Sequence, residues 1–225
     1  MWGCVMPENP IRCNGKEVLA ILENKKSQMR RVIKPQPTNV GSSNLDRFEY
    51  WNDAWHPTSP SGKVGVFSPY EYKCPYGVPG DTLWVRECFK PYCRMGELYT
   101  FQYKADNAFS KEYEMLKIDY EHKSDEEVFD DRWRPSIHMP RWASRINLLV
   151  KDIRVERVQD ISEEDALAEG TPGAWIIGEN DLHHRENPNK AHRFFFSRLW
   201  DKINSKRGFG WDVNPWVWVV EFEVK

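Results

Sequence analysis

A chain of 225 residues with 40% hydrophobic and 29% charged residues has a globular balance, not that of a disordered tail. Its formal charge of −2 excludes a global basic field, so any polyanion has to be met by a local patch. No run approaches the ~18 consecutive apolar residues of a membrane span, and no charged leader precedes an apolar stretch. The chain therefore reads as soluble and cytoplasmic, with no membrane partner.

Aromatic content stands out: eleven Trp, eleven Phe and nine Tyr can fill a core or supply stacking surfaces. The five cysteines, Cys4, Cys13, Cys74, Cys88 and Cys93, form no Cys-x-x-Cys pair. Reduced thiols, with no metal site and no cofactor, are the expectation.

In chain order, the first element is a helix over about Gly15–Glu23. Asn14 caps it, Glu17 completes a capping box, and Asn24 takes the left-handed stop. Val18, Leu19, Ile21 and Leu22 form its apolar side. A basic stretch follows, with Lys25, Lys26, Arg30, Arg31 and Lys34 and no acid. Residues from about 38 to 73 lose periodicity and read as an insertion with little regular structure. The turn Val78-Pro79-Gly80-Asp81 leads into a strand over Thr82–Phe89. A second insertion covers about 94–131, with a short helix near Lys111–Met115 and an acidic run at its end.

Ile146–Val158 is one long strand or two short ones, because the apolar parity switches near Lys151–Asp152. Ser162-Glu163-Glu164-Asp165 starts a helix, with Ile161 stapled onto Ala166 and Gly170 as the stop. After a loop over 171–189, the spacing of Phe195, Phe196, Leu199, Trp200 and Ile203 predicts an amphipathic helix over Ala191–Ile203. A last strand places Trp216, Trp218, Val220, Phe222 and Val224 on one face. This order lacks βαβ regularity. It predicts an α+β fold, one domain over 1–225 with a barrel or curled sheet.

Several of these segments resemble a known family. The apolar helix running into Asn24-Lys25-Lys26-Ser27-Gln28-Met29-Arg30-Arg31 resembles the Gly-x-Lys-Thr signature of ASCH domains, relatives of the PUA-type RNA-binding barrels. Pro79-Gly80-Asp81-Thr82-Leu83-Trp84-Val85 is similar to the Gly-Asp turn and second strand of that barrel. Asp160–Gly170 is similar to its later helix, and Trp216–Phe222 to its closing strand. The resemblance covers about half the chain. It implies a PUA-like/ASCH small barrel with flanking helices, binding RNA, DNA or a modified nucleotide. One branch, the acetylated-cytidine amidohydrolases, carries a catalytic Lys, Thr and Glu, which match Lys26, Met29 and Glu169. Met29 offers no hydroxyl. The whole chain, including Trp133–Trp142, also resembles a group of phage and prophage proteins, which adds a phage or host protein as an alternative partner acting through the insertions.

The chemistry expected of single residues is as follows. Lys26, Arg30 and Arg31 are candidate ligand contacts, with Lys26 and Arg31 at opposite parity on an extended strand. Glu169 sits in a last helical turn, where the dipole disfavours a carboxylate by about 0.3–1 kcal/mol, and pairing with Lys26 would explain it. Such a pair could do acid–base work, with Ser27 as a replacement nucleophile; a plain surface role for Glu169 and a turn bond for Ser27 are the alternatives. Arg132–Arg145 interleaves arginines with Trp133, Trp142 and His138. That segment suits either a base-stacking surface or a rigid crossover whose arginines pair with the acidic run upstream. His138, Arg141 and Arg145, with Arg86 and Glu87 after the strand, complete the candidate ligand set. His183 and His184 read as solvated.

Overall fold

The computed structural model describes residues 8–37, 47–58, 71–95, 98–110, 113–114, 132–171 and 191–225. They form an α+β fold. Its strands are β1 (Glu8–Arg12), β2 (Gln28–Val32), β3 (Arg47–Trp51), β4 (Ala54–Thr58), β5 (Thr82–Arg86), β6 (Phe89–Met95), β7 (Leu98–Tyr103), β8 (Tyr113–Glu114), β9 (Asn147–Arg157) and β10 (Trp216–Val224). Its α-helices are α1 (Gly15–Leu22), α2 (Glu163–Ala168) and α3 (Ala191–Asn204). Five strands make one sheet in the order β1-β5-β9-β10-β2, and among the described residues this order does not close into a barrel. None of the described helices is long and apolar enough to cross a membrane.

Contacts divide the chain into two compact units. The first comprises Met1–Asn24, Asp81–Leu149 and Val224–Lys225. In it β1 runs parallel to β5, β5 antiparallel to the start of β9, and β6, β7 and β8 form an antiparallel ribbon. Phe89, Phe101, Tyr103, Met139 and Ala143 bury its aromatic cluster, with Trp142 packed against it. The buried Tyr103 hydroxyl donates to the Ala143 carbonyl at 2.9 Å, so this phenol is satisfied inside.

The second unit comprises Lys25–Gly80 and Val150–Glu223. There β10 pairs antiparallel with β2, Val219 opposite Arg30 and Trp218 opposite Arg31. Parity sorts this sheet. Val217 and Val219 pack with Val158, Ile161, Ala166, Phe196 and Trp200, the side that carries α2 and α3. Trp216 and Trp218, of the other parity, meet Phe48 and Trp55 of the β3–β4 hairpin edge-on at 5.0 and 6.2 Å.

Local chemistry explains the helix ends. Asn14 accepts from the Lys16 and Glu17 amides and Glu17 bonds back to Asn14, the expected capping box, while Asn24 adopts φ 55°. Ser162 caps α2, and Gly170 stops it at φ 76°.

Several expectations are corrected. Residues 47–58 of the first insertion form a hairpin, because Asn52 and Asp53 both take positive φ (50° and 58°) and supply a two-residue turn between Trp51 and Ala54. In the second insertion β6 runs on to Met95 and β7 follows, and Tyr113–Glu114 is a strand where a helix was expected. The Thr82–Phe89 strand is interrupted at Glu87–Cys88. Of the two readings of Ile146–Val158, the single strand holds: Asn147–Arg157 is continuous, with Lys151 and Asp152 both exposed where the parity switches. Leu22, Leu199 and Ile203 are exposed, since α1 buries Val18 and Ile21 and α3 buries the i, i+4 row Phe196, Trp200 and Asn204. Strand β1 had no counterpart in the sequence reading. The acidic run and His183–His184 lie outside the described residues.

Candidate ligand site

Lys26 follows the left-handed turn at Asn24 and precedes β2. Its neighbour Ser27 is fixed on both sides: its amide donates to the Ala168 carbonyl, and its carbonyl accepts from the Phe222 amide, both at 2.9 Å. This holds the chain against the C-terminus of α2. The Lys26 ammonium donates to Oε2 of Glu169 at 2.7 Å and to the Glu169 carbonyl at 2.8 Å. Only 3% and 7% of the two side chains are exposed. The unfavourable position of Glu169 is thereby resolved: a cation neutralises both the carboxylate and the negative end of the helix.

Further along β2, Arg30 is wholly enclosed. Its guanidinium reaches Asp165 at 2.9 Å, Glu156 at 3.2 Å and Glu169 at 3.4 Å, and also contacts Oε1 of Gln28. Its Nε is buried with no hydrogen-bond partner among the described residues. Gln28 donates to Asp165 and to Glu221, both at 3.0 Å. Arg154 binds Glu156 at 2.5 Å, both oxygens of Asp165 at 3.0 Å, and Glu221.

Asp165 is the hub. Burial pushes its carboxyl up, but the Gln28 hydrogen bond and the charges of Arg30 and Arg154 outweigh that and hold it below its ordinary value. Burial pulls the Arg154 guanidinium down, and Glu156, Glu221 and Asp165 more than compensate, so its pKa is raised. Among the described residues three cations (Lys26, Arg30, Arg154) thus meet five carboxylates (Asp152, Glu156, Asp165, Glu169, Glu221), an excess of two negative charges.

The structure therefore brings together Lys26, Arg30 and Glu169 as the sequence suggested, and adds Gln28, Arg154, Glu156, Asp165 and Glu221. A signal for these was present: Gln28 and Arg30 on β2, and Arg154 and Glu156 on β9, are polar at alternate positions, the mark of one shared strand face. Ser27 is exposed, and Met29 is fully buried in the core. Arg31 is half-buried and donates to the Arg30 carbonyl at 3.2 Å.

The remaining sequence candidates, Arg86, Glu87, His138, Arg141 and Arg145, belong to the other unit and make separate contacts there. Arg145 binds Glu87 through two hydrogen bonds at 2.8 and 3.0 Å and Asp106 at 2.8 and 3.0 Å. Its guanidinium lies 4.1 Å from the centroid of the Tyr103 ring. Burial pushes the Glu87 carboxyl up, against the pull of Arg145. Asp106 has the opposite outcome, its burial outweighed by Arg145 and by the Ala108 amide. Arg141 binds Glu8 at 2.6 and 2.9 Å, and this hydrogen bond lowers the Glu8 carboxyl. Arg86 lies over Trp84 and donates to the Ile137 carbonyl. His138 is exposed at the end of a 3-10 turn, Ser136–His138. Arg141 and Arg145 thus take carboxylates from β1, from the residue after β5 and from the turn after β7.

Burial pushes the Cys74 thiol up to about 12, and among the described residues Cys13, Cys74 and Cys88 are in no disulfide. Among the described residues no group of three or more His, Cys, Asp and Glu could hold a metal ion. Comparison of the chain with protein families, with characterised proteins and with solved structures finds no match.

Proposed function

We propose that this chain is a binding module for a nucleotide-sized ligand, a base of RNA or DNA or a modified nucleoside, held beside the Lys26–Glu169 pair. The observation that carries the reading is that pair itself. Two residues separated by 143 positions, matched to the ASCH Lys and Glu, share a 2.7 Å contact with almost no exposure.

The chemistry of the surroundings narrows the ligand. With its excess of negative charge the cluster repels a phosphate more than it attracts one. Carboxylates accept from N–H groups and the third ammonium proton of Lys26 donates to a carbonyl. Such a set suits the hydrogen-bonding edge of a base, with its amines and carbonyls, better than a sugar–phosphate backbone. A small ASCH-like barrel and a phage or prophage setting belong to the same proposal.

Calorimetric titration with a panel of plain and acylated nucleosides and short RNA and DNA oligomers tests it. The parent is expected to bind at least one nucleoside class, and Lys26→Gln/Glu169→Gln to lose at least tenfold in affinity with the fold retained by circular dichroism. Full affinity in that variant overturns the reading. With Met29 at the position that needs a hydroxyl, the bound ligand is expected back unhydrolysed from the same incubation.

A further inference from the structure

In the unit that holds the Lys26–Glu169 pair, α3 has two unlike sides. Phe196 and Trp200 are buried, and the Phe196 ring lies 5.8 Å from the Arg30 guanidinium, against the charge cluster. The outward side carries Arg198 and Lys202, one turn apart and so about 6 Å along the axis. Lys206 and Arg207 follow on the 3-10 turn Ser205–Arg207 that extends the helix. All four are exposed. Among the described residues the side chains of Lys202, Lys206 and Arg207 have no hydrogen bond, ion pair or ring contact. Arg198 has the Phe194 ring, 5.6 Å away, and no carboxylate.

Lys34 joins them from another element. Gly208, at φ 80°, ends the turn, and the Phe209 carbonyl accepts from the Trp200 indole at 2.8 Å, which fixes Phe209. Exposed Lys34, just after β2, lies 5.1 Å from the Phe209 ring and has no hydrogen bond or ion pair among the described residues. The nearby acids do not neutralise the group. Asp201 accepts from the Trp211 amide at 2.6 Å, and neither it nor exposed Asp212 forms an ion pair with these cations. Elsewhere among the described residues, cations without hydrogen bond or ion pair stand singly: Lys16 on α1, Arg47 on β3, Lys73 and Lys104. The helix dipole accounts for cations at the end of α3, but not for Arg198 earlier in the helix nor for Lys34 on a different element.

We infer that Lys34, Arg198, Lys202, Lys206 and Arg207 form a surface for the phosphate backbone of a polynucleotide. Charge complementarity selects a polyanion, since cations repeating turn by turn fit a chain of evenly spaced phosphates. The choice of polymer rests on the nucleoside reading of the Lys26–Glu169 site. That site, with its excess of negative charge, repels phosphate, so an oligomer delivering a base to it needs cations elsewhere in the same unit. An anionic bilayer fits less well. With Phe196 and Trp200 turned inward, the exposed aliphatic surface of α3 is Leu199 and Ile203, too little to seat the helix among lipid chains.

The test is fluorescence anisotropy of end-labelled RNA and DNA oligomers, single-stranded and duplex, titrated with the full chain over a series of salt concentrations. Arg198→Gln/Lys202→Gln/Lys206→Gln is expected to weaken binding at least tenfold. Its log–log salt slope is expected to fall by about 2.1 on a single strand and about 2.7 on duplex DNA, the share of three phosphate contacts. Lys16→Gln/Arg47→Gln/Lys73→Gln removes the same charge from scattered positions and is expected to keep the parent's slope. Single strands of RNA and DNA are expected to bind alike, since phosphate alone is read.

A parent-like slope in the α3 variant overturns the inference. So does an equal loss in the scattered variant, which would make the effect one of net charge. Polyglutamate or phosphatidylserine vesicles that displace the oligomer as well as unlabelled oligomer does, at equal charge, overturn it in favour of an acidic protein or a lipid surface. Nucleoside titration of the same proteins keeps the two readings apart. A parent that binds nucleosides but no oligomer sinks the surface and leaves the nucleoside reading standing. Oligomer binding that depends on the α3 cations, in a parent that binds no nucleoside, does the reverse.

Discussion

At the residue scale, Lys26 shows how one side chain serves two ends. Its ammonium satisfies the Glu169 carboxylate and the Glu169 carbonyl at 2.7 and 2.8 Å, so it closes the C-terminus of α2 as well as pairing an acid. A buried ion pair costs desolvation that its Coulomb energy roughly repays, but removing one partner strands the other. Lys26→Met is therefore expected to destabilise the chain by about 3–5 kcal/mol, leaving a carboxylate nine-tenths enclosed. Adding Glu169→Met is expected to recover most of that loss. Urea denaturation of the two variants checks it, and a double variant as unstable as the single one would show that the pair is not the source. The pair was legible in the sequence because a carboxylate in a last helical turn needs an explanation. Asp165 was not: as an acid in a first turn it looked self-sufficient, and its service to Arg30 and Arg154 depends on strand partners far away in sequence.

At the element scale, amphipathic helices and caps were readable because their signals are local. Asn14, Glu17, Ser162 and Gly170 all act within a few residues of their own position. Strand pairing was harder, as it joins distant segments. The β3–β4 hairpin was missed because its turn is Asn52-Asp53, without the glycine that usually marks a two-residue hairpin. Both residues hold positive φ, which Asn and Asp tolerate and a β-branched residue does not. Asp53→Val is expected to cost about 1–2 kcal/mol, and Asp53→Gly to be tolerated without loss. Thermal melts of the two variants decide this, and equal melting temperatures would contradict the turn geometry. The hairpin matters because its Phe48 and Trp55 meet Trp216 and Trp218, which is where part of the large aromatic content goes.

At the scale of the whole molecule, near-neutral net charge conceals arginines and carboxylates bound into clusters, and those clusters set the response to acid. Glu8, Asp106 and Asp165 are all held below their ordinary values, with Arg141, Arg145, and Arg30 with Arg154 as their partners. A carboxylate lowered in the folded state stabilises the fold fully above its unfolded pKa, about 4, and loses that contribution as pH falls through the folded value. Glu87 has the opposite sign. Its raised value means that its contribution is present in acid and lost as pH rises through the folded value. Among the described residues three carboxylates against one make acidification the damaging direction, so stability is expected to drop steadily from pH 5 to pH 2. Asp165→Asn removes one of the three and is expected to flatten that drop, at the cost of lower stability near neutral pH. Glu87→Gln removes the opposing contribution, and is expected to steepen the acid loss while sparing the protein the rising-pH penalty. Denaturant midpoints measured across that range for the parent and both variants read the two slopes directly. A parent-like slope in Asp165→Asn would mean that Asp165 titrates as an ordinary surface acid, which its four described hydrogen bonds from Gln28, Arg30 and Arg154 argue against.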